Sequence, residues 1–192
     1  MRIAISGTHA AGKSTLVEEL AGALPEHLTV DEPYYLLEEE GHQFPEMPSI
    51  EDFELQLERS IECLNSGEPD VIFDRCPADL LGYLLTHRDA GLFNLGRWLP
   101  RARAAIRTLD LIVFVPIEER DRIALPWAMD ADFRARVDET LREILLDNSL
   151  GFDVDVLPVQ GSPRDRVRRV LTHLSLPSPT PTPTPGSPPP GG

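Results

Sequence analysis

Cysteine is scarce. Cys63 and Cys76 are the only two in 192 residues, too few for a disulfide scaffold and without metal-ligand spacing. Basic residues number 18 against 32 acidic ones, a formal net charge of −14, which argues against broad adhesion to nucleic-acid backbones or anionic lipid. Long hydrophobic runs are missing too. The longest clean one, LIVFV at 111–115, falls far short of the roughly 20 residues a membrane helix needs. No basic n-region, apolar stretch and cleavage site follow Met1, so no secretory signal is expected and the expected location is cytoplasmic. The histidines at 9, 27, 42, 87 and 173 show no metal spacing, no Ser/His/Asp arrangement stands out, and there is no internal repeat.

What is present is the composition of a globular chain, 41% apolar and 26% charged. Residues 177–192 hold only Pro, Gly, Thr and Ser and read as a flexible or polyproline-like tail. That leaves one domain over 1–176, long enough to bury roughly 70% of the unfolded chain's surface. Along it, strand and helix signals alternate. Strands are expected at 2–6, 28–30, 70–74, 111–115 and 154–157, with Pro33 breaking the chain after the second. Helices are expected from Lys13 to Leu24, over 50–64 behind a Ser49–Asp52 capping box, from Pro77 to about His87, over 95–108 and 132–147, and from Pro163 behind Ser162. Five strands separated by helices, the best of them apolar throughout, predict an α/β fold: three layers, with a five-stranded parallel sheet flanked by helices.

Gly7-Thr8-His9-Ala10-Ala11-Gly12-Lys13-Ser14 fits the phosphate-loop pattern G-x-x-x-x-G-K-[ST] at every fixed position, between a strand and a helix as that pattern requires. Gly7 and Gly12 let the backbone curl so that the amides of residues such as Ala10, Ala11 and Thr15 face one hollow at the helix's positive end. Lys13 supplies a point charge for the outer phosphates, and the Ser14 hydroxyl a ligand for Mg²⁺. ATP and Mg²⁺ are therefore the expected cofactors. His9 is read as a bystander.

Phosphoryl transfer asks for carboxylates and guanidinium groups at the carboxyl ends of the strands, beside that loop. Asp31-Glu32 follow the second strand, with Glu32 the favoured proton acceptor for an acceptor hydroxyl. Asp74-Arg75 follow the third, Asp74 as a Walker B-like metal carboxylate and Arg75 as a phosphate or acceptor clamp. The polar segment 117–131 reads as a lid, with Arg120 and Arg122 as its candidate catalytic arginines. The arginines at 97, 101, 103 and 107, and those at 164, 166, 168 and 169, read as exposed helix faces, and Glu38–Glu40 as a solvated one.

GTHAAGKSTL, DEP, VIFDRCPADLLGYL and VQGSPRDRV together resemble the P-loop nucleoside/nucleotide kinase superfamily over about residues 1–175. The branch resembled is the AAA-type ATPase domain that includes the nicotinamide riboside kinase domain of the bacterial NAD regulator. That resemblance implies Glu32 as catalytic base and Asp74-Arg75 as the pair over acceptor and phosphates. It also implies Asp79 and Tyr83 as a D-x-x-x-Y pair behind them, and Gly161-Ser162-Pro163 as a loop packing on the adenine ring. Gln56 is a candidate substrate contact. The expected function is transfer of the γ-phosphoryl group of ATP to a small-molecule acceptor, nucleoside-like or bearing another hydroxyl or phosphate, with no nucleic-acid or membrane partner and the oligomeric state open. The alternative is a nucleotide-dependent switch with weak ATPase activity.

Overall fold

A computed structural model describes residues 1–118 and 131–175. In chain order the elements are β1 (Arg2–Ser6), α1 (Lys13–Ala23), β2 (Leu28–Val30), α2 (Pro33–Glu39), α3 (Ile50–Leu64), β3 (Val71–Asp74) and α4 (Pro77–Thr86). A 3-10 turn at Ala90–Leu92 follows, then α5 (Leu95–Ile106), β4 (Leu111–Phe114), α6 (Ala131–Leu145), β5 (Asp155–Pro158) and α7 (Pro163–His173). All five strands are parallel, in the order β2-β3-β1-β4-β5, with Ile3 of β1 opposite Ile72 on one side and Leu111 on the other. This is the expected α/β architecture.

The sheet is covered on both faces, as parallel sheets are. Alternate residues of the central strands divide between two cores. Ala4, Val71, Phe73, Ile112 and Phe114 pack with α3, α4, α5 and α6. Ile3, Ile5, Ile72, Leu111 and Val113 pack with α1 and α7. The two edge strands are less covered, each having one neighbour: Leu28 and Thr29 of β2 are exposed, and so is Asp155 of β5. No helix among the described residues is long and apolar enough to cross a membrane.

Two elements differ from the sequence reading. Pro33 does not end structure. It sits at the first position of α2, where its missing N–H would be unpaired in any case and its φ already suits a helix. The 3-10 turn at Ala90–Leu92 carries no periodic pattern long enough to read.

The connection after β1 leads toward β2 and that after β4 toward β5, so a crevice opens at their carboxyl ends, where ligands of open α/β sheets bind. The loop that fills it is set against β4. A Cβ on Gly7, whose φ is +152°, would lie 2.5 Å from the Val115 carbonyl oxygen. Gly7→Ala is therefore expected to cost about 2–3 kcal/mol through backbone overlap, seen as a fall in melting temperature of roughly 5–10 °C for a domain this size. An unchanged melting curve would show that the loop does not press on β4.

Candidate active site

The loop between β1 and α1 is held open from outside by cationic side chains. The Gly7 carbonyl accepts from Arg75 Nη1 at 3.1 Å, that of Thr8 from Lys13 Nζ at 3.1 Å, and that of His9 from Arg134 Nε at 2.9 Å. The Ala10 carbonyl accepts from Arg134 Nη2 at 3.0 Å, and that of Ala11 from Arg166 Nη1 at 3.0 Å. Five consecutive carbonyls are thus turned to cations. Left-handed backbone at Ala10 (φ 52°) and Gly12 (φ 83°) helps the curl. Two amides face backwards: Gly7 N–H donates to Asp79 Oδ1 at 2.8 Å and His9 N–H to Tyr83 Oη at 2.8 Å. Those of Ala10, Ala11, Gly12, Lys13, Ser14 and Thr15 find no protein acceptor among the described residues, the arrangement of an anion-binding nest at a helix start.

At the outer end of this nest the carboxyl ends of β2 and β3 bring three charges together. Glu32 Oε2 accepts from Arg75 Nε at 2.7 Å, and its Oε1 lies 3.5 Å from Lys13 Nζ. Burial pushes the Glu32 carboxyl up, but Arg75 and Lys13 outweigh it and hold it at about 2. Arg75 is buried; burial works against its charge, and Glu32, then Tyr83 and Asp79, overcome that and raise it. Its backbone is left-handed at φ 79°, an unfavourable conformation for a side-chain-bearing residue that here aims the guanidinium back over the loop. Its guanidinium also lies 5.3 Å from the Tyr83 ring centre.

Asp74, at the end of β3, accepts from Ser14 Oγ at 2.7 Å through Oδ2, while its buried Oδ1 has no partner. Burial, then the nearby Glu32 charge, raises its carboxyl above the usual range. A hydroxyl and an unsatisfied carboxylate oxygen at one point fit a divalent cation held jointly with phosphate and water. Among the described residues no group of three His, Cys, Asp or Glu could hold a metal alone.

The remaining expected residues divide. Asp79 is fully buried behind the loop, its two oxygens taken by the amides of Gly7 and Cys76, and Tyr83 lies beside it against His9. Their helical spacing is as expected, and what they touch is loop backbone. Gln56 is buried on α3, its Nε2 3.4 Å from the Asp52 carbonyl. Asp31 is exposed. Gly161 N–H donates to Glu118 Oε1 at 2.7 Å, and Ser162 caps α7 with Asp165. Arg120, Arg122 and most of the expected lid, together with the tail at 177–192, lie outside the described residues.

Arg166 corrects the sequence reading. It is buried, not exposed, and links Ala11 to Glu118 (3.1 Å). The signal was available: Arg166 stands four residues before the inward Val170 and so shares its face. Arg134, on α6, is also buried on two loop carbonyls. Composition held one more signal, since Lys13 is the only lysine in the chain.

Fold and loop together are those of a P-loop α/β domain. The model of an AAA-domain family matches residues 2–166, and the chain belongs to that family. Among solved structures, a deoxyadenosine kinase from M. mycoides with bound dATP superposes with a TM-score of 0.61 at 15% identity, over 91% of this chain and 100% of that one. Shikimate kinase from Aquifex aeolicus gives 0.54 at 20% identity, over 91% and 96%. A NadR protein in complex with NR gives 0.59 at 18%, over 90% of this chain and 49% of that one. At these identities the likeness is one of fold. No curated protein matches the chain.

Proposed function

We propose that this chain is a small-molecule kinase that transfers the γ-phosphoryl group of Mg-ATP to a hydroxyl or phosphate of a nucleoside-like or similar acceptor. One observation carries the reading: Glu32 lies 2.7 Å from Arg75 and 3.5 Å from Lys13, so a carboxylate, a guanidinium and the loop lysine meet where a bound polyphosphate would end. That two neighbours in fold are named as kinases of small molecules supports it.

In this reading the amides of residues 10–15 bind the phosphates and Lys13 neutralises the outer ones. Mg²⁺, held by Ser14 and Asp74 directly or through water, would supply further neutralisation of phosphate charge. Glu32 orients the acceptor hydroxyl and takes its proton. At about 2 it is a poor base before nucleotide arrives. A polyphosphate that draws Lys13 away removes one of the two cations holding it down, and the carboxylate gains basicity when it is needed. Asp79 and Tyr83 fix the loop. Asp31 and Gln56 are the proposed acceptor contacts, and the stacked rings of Tyr34 and Phe44, 4.6 Å apart, are the proposed apolar wall. Arg120 and Arg122 close from the lid, excluding water, and Gly161-Ser162-Pro163 pack on adenine.

ADP release in Mg-ATP over a panel of nucleosides, nucleotides and other alcohols tests this. Turnover that rises at least about tenfold with one acceptor class is the expected result, a barrier difference of about 1.4 kcal/mol. Slow turnover that no acceptor changes would favour a nucleotide-dependent switch instead.

A further inference from the structure

His9 has almost every polar atom engaged. Its amide donates to Tyr83 Oη at 2.8 Å, its carbonyl accepts from Arg134, and its Nδ1 lies 2.9 Å from the same Tyr83 Oη. The two rings stack with centres 6.0 Å apart. Having accepted from the amide, the phenol has its own proton to give. Thr8 Oγ1 stands at 3.5 Å and His9 Nδ1 at 2.9 Å, so the nearer nitrogen receives it. Nδ1 is then the acceptor, and the neutral ring carries its hydrogen on Nε2. Nε2 is buried and has no partner among the described residues. A buried donor without an acceptor is rare in a native fold.

The surroundings say what acceptor belongs there. Burial and then the charges of Arg75, Arg134 and Lys13 hold the His9 ring at about 4, so near neutral pH it is an uncharged donor set among cations. Lys13 is the group that reaches the outer phosphates, and Arg75 stands with Glu32 at the acceptor end of the nest. We propose that His9 Nε2–H donates to an oxygen of the outermost phosphoryl group of a bound nucleoside triphosphate, so that this loop position distinguishes triphosphate from diphosphate. Tyr83 is the positioning residue that selects the tautomer. The inference rests on the loop being a nucleotide site.

Calorimetry with Mg-ATP and Mg-ADP on the full chain tests it with two variants. In His9→Asn the amide reaches only the Nδ1 position; in His9→Gln it reaches that of Nε2 and keeps a donor. A hydrogen bond to a charged oxygen corresponds to roughly 10–100-fold in affinity. His9→Asn is therefore expected to weaken ATP by that factor and ADP by less than about twofold, while His9→Gln keeps ATP within about threefold. An Asn variant that binds ATP like the wild type, or loses ATP and ADP equally, overturns the inference while the nucleotide site stands. A wild-type chain that binds neither nucleotide overturns both. Imidazole ¹⁵N spectra give a second reading: a neutral Nε2–H tautomer for His9 is expected, and an Nδ1–H tautomer contradicts it.

Discussion

Glu32→Gln is expected to lower acceptor-dependent ADP formation by about 10²–10⁴-fold, the usual worth of a positioned proton acceptor, while Mg-ATP binds as well as before or better. The two halves follow from one geometry. Before nucleotide binds, Lys13 Nζ is shared between the Thr8 carbonyl and Glu32 Oε1, so a phosphate must compete with a carboxylate for it. Glutamine keeps the shape and a hydrogen-bonding oxygen for Arg75 Nε but removes the competing charge. Nucleotide affinity thus has no reason to fall, and proton acceptance is lost. Steady-state kinetics and calorimetry on the same preparation separate these effects. Equal losses of binding and turnover would mean that Glu32 only builds the nest.

Arg75→Leu is expected to destabilise the fold by about 3–5 kcal/mol, the range for removing one partner of a buried ion pair. Glu32 would keep only the longer contact to Lys13, the Gly7 carbonyl would lose its donor, and the left-handed backbone at residue 75 would have no guanidinium bond to offset it. The effect depends on pH with a definite sign. Glu32 titrates at about 2 in the fold against an ordinary 4.5. Its pairing therefore stabilises the wild type fully above about 4.5, by about 3 kcal/mol. That stabilisation is lost as the pH falls toward 2, where the carboxyl protonates in the fold as well. The gap between wild type and Arg75→Leu should be wide at pH 7 and narrower at pH 3 by chemical denaturation. A constant gap would place the cost in packing around Tyr83.

The phosphate loop was legible because its chemistry is local. A strand ending in glycine, eight residues of fixed pattern and a helix start are all contiguous, and the structure forms them as written. The strands at residues 71–74 and 111–114 were equally plain, being short apolar runs bounded by polar turns. Pairing over distance was not legible. That Arg166 reaches Ala11, 155 positions away, and Arg134 reaches His9, 125 positions away, depends on how α6 and α7 lie against the sheet, which no local period records. Helical spacing put Asp79 and Tyr83 on one face but could not say that both point at loop amides. Pro33 misled because proline breaks a helix interior and starts a helix equally well, and the seven-residue α2 is too short for its period to decide. His9 looked incidental because its partner, Tyr83, lies 74 residues on.

Titration of Mg-ATP into the full chain in a calorimeter, beside Lys13→Ala, tests the central claim most directly: a nest of amides at residues 10–15, completed by the chain's only lysine, that holds a polyphosphate. Saturable uptake of one nucleotide per chain, abolished by the substitution while the melting curve stays cooperative, is the result expected. Absence of heat with any purine triphosphate, or uptake that Lys13→Ala leaves unchanged, would contradict it.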